Sequence, residues 1–149
     1  MKLVVDANVV FSALIKKGIA FSVFLLNSLS NKFEFIAPEY LWIEIDSKKE
    51  KMLKYSGLSR EELDELISFL KREIEVIPSY EFLEFIPRAE NFLKGHEKDT
   101  PYLALALAFD CAIFSGDEKL KRLSPVPVYS PRELLNIPIR KDDFESLKS

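Results

Sequence analysis

The sequence predicts an α/β sandwich with a parallel sheet, and three observations support that prediction. Short apolar runs with strand character alternate with segments whose apolar residues recur at helical spacing. The alternation continues along nearly the whole chain, as expected when each strand is joined to a parallel neighbour through a helix. The 149 residues, 48% of them hydrophobic, also suffice for one compact domain with a real core.

The chain opens with a predicted strand and two helices. "KLVVD" is a short run of apolar and β-branched residues, typical of a buried strand. "NVVFSALIKKG" has apolar residues at helical spacing, and Gly18 is its predicted C-cap. "IAFSVFLLNSLSN" continues as a second, mostly apolar helix that ends near Asn31.

The second strand, "FEFIA", ends at Pro38 and precedes a long predicted helix. The segment "PEYLWIEIDSKKEKMLKY" has proline in its first turn and an apolar stripe, so we predict one helix that continues until Gly57 breaks it. "LSREELDELISFLKRE" predicts a further helix, in which Ser59 and Glu62 have the spacing of a capping box.

The remaining elements include three more predicted strands, "IEVIP", "CAIFS" and "VPVYS". After the first of these, "YEFLEFIPRAENFLKGH" predicts two short helical pieces separated by Pro87. "DTPYLALALAF" then predicts a helix with Thr100 as N-cap and Pro101 at its first position. This helix is apolar on nearly every face, so we expect it to be deeply buried. The short helices "DEKLKRL" and "PRELLN" follow the last two strands.

Four acidic residues fall where predicted elements begin or end. Asp6 follows the first strand and Asp117 the fourth, and side chains at the carboxyl ends of neighbouring parallel strands share one crevice. Asp99 precedes the apolar helix, and Glu44 lies among large apolar neighbours one turn into a helix. Plainer interpretations stay open, because Asp6 and Asp99 could cap helices and Glu44 could lie on a solvated face.

If the four carboxylates converge, they require protons or cations to neutralise them. Two carboxylates about 4 Å apart repel each other by roughly 4 kcal/mol at an effective dielectric constant of 20. Oxygen-only ligands favour hard cations such as Mg²⁺ or Mn²⁺. Zinc sites with several His or Cys ligands are excluded, because His96 is the only histidine and Cys111 the only cysteine. Hard cations at such a crevice suit phosphoryl chemistry, which needs no protein nucleophile.

Composition and charge bound the partners and the location of the protein. The net charge of −3 provides no global footprint for nucleic acid. Two local basic clusters are interpreted as solvated helix faces, and the first of them is also a candidate set of contacts to a nucleic-acid backbone. They are Lys48, Lys49, Lys51 and Lys54, and then Lys119, Lys121 and Arg122. No signal-peptide pattern and no apolar run of membrane-spanning length is present, so we expect a cytoplasmic protein without a membrane partner.

The segments "VVDANVVFSAL", "PEYLWIEI", "DTPYLALALAF" and "AIFSGDEKL" together resemble the PIN-domain nucleases, which include the VapC-like toxin ribonucleases. The resemblance runs from Lys2 to about Leu135. It implies a three-layer α/β/α sandwich with a central parallel five-stranded sheet in the order 3-2-1-4-5. Residues 1–140 would form a single PIN-like nuclease domain, and residues 141–149 a polar C-terminal tail. It further implies cleavage of single-stranded RNA with Mg²⁺ or Mn²⁺, a homodimer, and an antitoxin protein as partner if the chain is a toxin.

The resemblance also implies a set of site residues. The acids that match the metal ligands of the family are Asp6, Glu44, Asp99 and Asp117. Asn8 matches the small polar residue two places after the first acid. Ser115 stands where the family usually has Thr, and its hydroxyl can hydrogen-bond near the phosphate or a metal-bound water. Glu39 and Asp46 lie near the same helix start as Glu44 and compete with it for the second position.

The function expected from these residues is that of an endoribonuclease in which a metal-activated water attacks the phosphorus. A small-molecule phosphatase with an Asp at the first strand end is one alternative. Haloacid-dehalogenase-like enzymes of that kind have a second Asp where this chain has Asn8. The other alternative is a non-catalytic binding module that keeps the PIN fold.

Overall fold

A computed structural model describes residues 1–137 of the chain. The tail predicted at 141–149 therefore lies outside the described residues, as do residues 138–140 of the predicted domain. The strands are β1 (Lys2–Val5), β2 (Glu34–Pro38), β3 (Ile74–Ile77), β4 (Ala112–Phe114) and β5 (Val128–Tyr129). The α-helices within these residues are α1 (Ala7–Lys16), α2 (Ile19–Ser30), α3 (Tyr40–Ser47), α4 (Lys49–Ser56), α5 (Arg60–Glu73), α6 (Ile86–Phe92), α7 (Thr100–Phe109), α8 (Glu118–Leu123) and α9 (Pro131–Leu135).

All five strands form one parallel sheet in the order β3-β2-β1-β4-β5, which confirms the predicted order. The helices complete the predicted three-layer α/β/α arrangement. The central strand β1 pairs with β2 on one side and with β4 on the other, with Leu3 opposite Phe35 and Val5 opposite Phe114. The chain order reverses between these two neighbours, which is where parallel sheets of this kind form a crevice at their carboxyl ends.

The core lies on the two faces of this sheet. Leu3, Val4 and Val5 are fully buried, as expected for a central strand with helices on both faces. Phe24 of α2 packs against Phe35 at a ring-centroid distance of 5.0 Å, and aromatic pairs of this kind add to the energy of area burial. The predicted burial of α7 is confirmed, because this helix packs against β1, β2 and β4.

The capping box predicted for α5 is present. The backbone N–H of Glu62 donates to Ser59 Oγ (3.1 Å), and the Ser59 N–H donates to Glu62 Oε1 (3.0 Å). Gly57 ends α4 in the left-handed conformation, with φ of 71°, as predicted for the residue that breaks this segment.

Four local predictions were wrong. Lys17, with φ of 51°, is the left-handed C-cap of α1, whereas Gly18 has φ of −80° and precedes α2. The long predicted helix is two helices that meet at Lys48, where the chain turns and α4 packs against α1. Pro87 does not separate helices but lies in the first turn of α6, where a missing N–H costs nothing. Thr100 is the first residue of α7 and not its N-cap, because a 3₁₀ turn (Glu97–Asp99) leads directly into the helix.

Among residues 1–137, no single helix is long and apolar enough to cross a membrane. The pair α1 and α2 meets that criterion jointly in length and composition but is bent by 99° at its break.

Candidate active site

The ends of β1 and β4 place Asp6 and Ser115 side by side. Val5 pairs with Phe114, so the next residue of each strand leaves the sheet at the same level. The Asp6 N–H still donates to the carbonyl of Phe114 (3.0 Å). The Ser115 hydroxyl donates to Asp6 Oδ2 at 2.7 Å, a short bond to a carboxylate. Both side chains are buried, at 4% and 2% exposure.

Asp6 is held in an environment that opposes its charge. The pKa of this carboxyl is raised to about 7, chiefly by burial and also by the nearby charges of Asp99 and Asp117, against the lowering effects of the Ser115 hydroxyl and the Ala7 backbone. Asp6 occupies the N-cap position of α1, yet its side chain makes no capping hydrogen bond. The capping interpretation therefore does not explain this carboxylate.

Asn8 and the backbone around Gly116 complete the network around Ser115. Asn8 Nδ2 donates to Ser115 Oγ (3.2 Å), and the Asp117 N–H donates to the same oxygen (3.0 Å). The Gly116 N–H donates to Asn8 Oδ1 (3.4 Å). These bonds orient the serine hydroxyl so that its single proton is directed at Asp6. Asn8 itself is exposed to solvent.

Asp117 follows β4 and caps α8. Its Oδ1 accepts from the backbone N–H groups of Lys119 (2.9 Å) and Leu120 (3.2 Å), which are donors left unsatisfied at a helix start. No described residue donates to Oδ2 of Asp117. The side chain is half-buried. One carboxylate oxygen is thus bonded to the backbone at the start of α8, and the other remains available in the crevice.

Asp99 enters the same crevice from the start of α7. The backbone is already helical at Asp99, and its side chain does not cap the helix. Burial raises the pKa of Asp99, and the charges of Asp117 and Glu44 raise it further. An open cleft of about 520 Å³ is lined by Asp99 and Asp117 together with basic side chains, among them Lys98 and Lys119.

Glu44 faces the other acids, whereas its two competitors do not take part in this cluster. The Tyr102 hydroxyl donates to Glu44 Oε1 at 3.2 Å, and Glu44 is one of the charges that raise the pKa of Asp99. Glu39 is exposed and accepts from the Ser79 N–H (3.1 Å), and Asp46 is exposed on the same helix. Helical spacing alone separated these three acids only weakly.

Sequence reasoning missed Tyr102. The residue belongs to the apolar helix α7 and is only 1% exposed. The available signal was chemical: a phenol hydroxyl in a helix that is otherwise almost entirely apolar, three residues after Asp99 and therefore on the same helix face.

The residues present fit a hard divalent cation, although they do not form a closed ligand set. Within residues 1–137, no three His, Cys, Asp or Glu side chains are close enough together to hold a metal ion. The four acids are nonetheless electrostatic neighbours, and none forms an ion pair with a Lys or Arg of the described chain. Their oxygen donors, with one carboxylate buried, match the ligands that Mg²⁺ and Mn²⁺ prefer.

Cys111 lies outside this arrangement. It precedes β4, whereas the crevice forms where β4 ends. Burial raises the pKa of its thiol to about 11, so the thiolate is scarce at neutral pH. This environment suits a small packing residue and not a nucleophile.

Comparison with known proteins identifies the family. A family model for the PIN domain matches residues 4–125, most of the chain. No curated protein sequence gives a significant match. Among solved structures, a chain of VapBC2 from Rickettsia felis superimposes on this chain with a TM-score of 0.63. That structure is bound to a DNA fragment from the promoter of VapBC2. The match covers 87% of this chain and 98% of that chain at 15% identity, a likeness of fold. The chain therefore belongs to the PIN-domain family of nucleases.

Proposed function

We propose that this protein is a metal-dependent endoribonuclease that cleaves single-stranded RNA. The observation that carries the proposal is the Asp6 carboxylate. It is 4% exposed, has a pKa raised to about 7, and has two further acids as electrostatic neighbours but no basic ion-pair partner in the described chain. A carboxylate in that position costs stability unless a cation neutralises it.

The cation is Mg²⁺ or Mn²⁺, and the residues that would hold it are Asp6, Glu44, Asp99 and Asp117. When bound, such a cation lowers the pKa of a water and stabilises the charge that develops on a phosphodiester during hydrolysis. Ser115 and Asn8 hold the first of these carboxylates in place through the hydrogen bonds described above. These two side chains orient the Asp6 carboxylate, so a cation can bind without rearrangement of the end of β1.

Basic side chains at the cleft and on α4 are the proposed contacts to the RNA backbone. Lys98 and Lys119 line the cleft beside the acids. Lys49 pairs with Asp64, and Lys48 lies over the Phe11 ring at 5.0 Å, so these two lysines are already engaged within the fold. Lys51 and Lys54, both exposed, complete the candidate set on α4. Phosphate contacts of this kind weaken as salt rises.

Replacing Asp6 with Asn tests the proposed activity. The substitution keeps the shape of the side chain and removes its charge, so we expect D6N to lose Mn²⁺-stimulated cleavage of single-stranded RNA by at least about a hundredfold. The matched control is D46N, which removes an exposed acid from α3 and should cleave like the wild type. Wild-type rates in D6N would contradict the proposal. Activity on a chromogenic phosphomonoester but not on RNA would favour a phosphatase instead.

We further propose that the protein is a homodimer and the toxin of a toxin–antitoxin pair. Membership of the PIN-domain family supports this role, as does the likeness of fold to a chain of the VapBC2 complex. A small upstream gene encoding a DNA-binding protein, whose product relieves growth arrest caused by this chain, would support the toxin role. Harmless expression of an RNA-cleaving protein would contradict it. Sedimentation of the purified chain as a monomer would contradict the dimer.

A further inference from the structure

We infer that Tyr102 is a positioning residue that holds the Glu44 carboxylate toward Asp6 and Asp99 for metal binding. The inference rests on the proposed function, because it concerns the same crevice. It adds a residue outside the four acids, and it assigns that residue a defined task. The task is to order one ligand before the cation arrives.

The position of Tyr102 on α7 connects two of the acids. Tyr102 follows Asp99 by three residues, a spacing that puts both on one face of the helix. α7 is fixed by its packing against β1, β2 and β4. The start of α7 therefore fixes the Asp99 carboxylate just before the helix, and its first turn presents a hydroxyl that reaches across to Glu44 on α3, at 3.2 Å.

The surroundings of Tyr102 hold its hydroxyl in place. The residue is 1% exposed and its ring belongs to the hydrophobic core, so the ring has little freedom to turn away from Glu44. A phenol hydroxyl can stabilise a neighbouring carboxylate by donating a hydrogen bond to it.

Glu44 needs such a partner more than Asp6 or Asp117 does. Asp6 is ordered by its buried strand end and Asp117 by the start of α8, whereas Glu44 lies on a half-exposed face of α3 with three rotatable side-chain bonds. Among the described residues, Tyr102 is the only group that donates to the Glu44 carboxylate. Groups that orient a metal ligand in this way raise metal affinity, and their loss typically weakens it by 10- to 100-fold.

The test is Y102F, which keeps the buried ring and removes only the hydroxyl. Mn²⁺ binding to the full chain is measured from the electron paramagnetic resonance signal of free Mn²⁺, and thermal melting is recorded without metal. We expect Y102F to bind Mn²⁺ roughly tenfold more weakly than the wild type, with the metal-free melting temperature unchanged within a few degrees. The matched control is Y80F, a tyrosine that is 78% exposed. It should leave both quantities unchanged.

A double variant separates positioning from a general effect. E44Q should weaken Mn²⁺ binding, and Y102F/E44Q should bind as E44Q does, because the hydroxyl then has no ligand charge to orient. Wild-type affinity in Y102F, or losses that add in the double variant, would overturn the inference while leaving the proposed function intact. The inference and the proposed function would both be overturned if the wild-type chain bound no Mn²⁺ and the D6N variant cleaved RNA at the wild-type rate.

Discussion

At the residue scale, the structure distinguishes between two roles that a sequence leaves open for an acid at a strand end. Asp6 and Asp117 both occupy N-cap positions, and only Asp117 uses its side chain as a cap. Asp6 instead accepts from Ser115, a residue 109 positions away in the chain. The distinction depends on which donors tertiary packing brings near each carboxylate, and no local pattern encodes that.

The raised pKa of Asp6 predicts how stability changes with pH in the metal-free protein. In the unfolded chain this carboxyl ionises near pH 4, and in the folded protein near pH 7. The folded state therefore binds the proton more tightly. The resulting stabilisation is complete below about pH 4 and is lost as pH rises to about 7. The loss is on the order of 4 kcal/mol, at about 1.4 kcal/mol for each pH unit between these two pKa values.

D6N removes this titration. In the presence of a chelator, D6N should be more stable than the wild type at pH 8, and the difference should shrink toward pH 4. Denaturant unfolding at several pH values measures it. D46N, which changes an exposed acid on α3, should follow the wild-type curve throughout. A wild-type protein that is as stable as D6N at pH 8 would show that Asp6 ionises without cost.

At the element scale, local signals predicted the helices that are governed locally and failed where tertiary contacts intervene. The capping box at Ser59 and the stop at Gly57 need only neighbouring backbone, and both are present. The break at Lys48 depends on how α4 packs against α1, and the helical entry at Asp99 depends on the preceding turn. Neither determinant lies within the segment that was predicted.

The capping box offers a test at this scale. S59A removes the oxygen that accepts from the Glu62 N–H at the start of α5. The free energy of unfolding of the protein should therefore fall by about 1 kcal/mol. Urea unfolding measures the difference. S79A is the control, because the Ser79 side chain is exposed and its backbone N–H, which bonds to Glu39, is retained. Equal losses in the two variants would mean that the cap contributes nothing specific.

At the scale of the whole molecule, the fold gathers acids that are up to 111 residues apart, Asp6 and Asp117 being the outermost. The sheet supplies the two strand ends, the 3₁₀ turn before α7 supplies Asp99, and α3 supplies Glu44. Each element is anchored by its own buried face. The buried contacts of these elements therefore offset the repulsion between the like charges.

Cation binding should reduce the repulsion between the carboxylates and so stabilise the whole folded protein. A ligand that binds only the folded state raises the free energy of unfolding, by about 2.7 kcal/mol at a hundred times its dissociation constant, and so raises the melting temperature. We expect Mn²⁺ or Mg²⁺ to raise the melting temperature of the wild type and to leave that of D6N unchanged or nearly so. An equal rise in both proteins would place the bound cation elsewhere, and no rise in either would contradict the metal site.

The fold class and the candidate set of four acids follow from the sequence, and the order of the sheet follows from the family resemblance. These features could be predicted because helical periodicity and the ends of strands depend on neighbouring residues, and both patterns are clear in this chain. Tertiary packing places the Tyr102 hydroxyl against Glu44, engages Glu39 with the Ser79 N–H instead, and leaves the Asp6 side chain without a capping hydrogen bond. The physical reason is that the direction of a side chain, and the pKa of a carboxyl, depend on which distant groups pack against it.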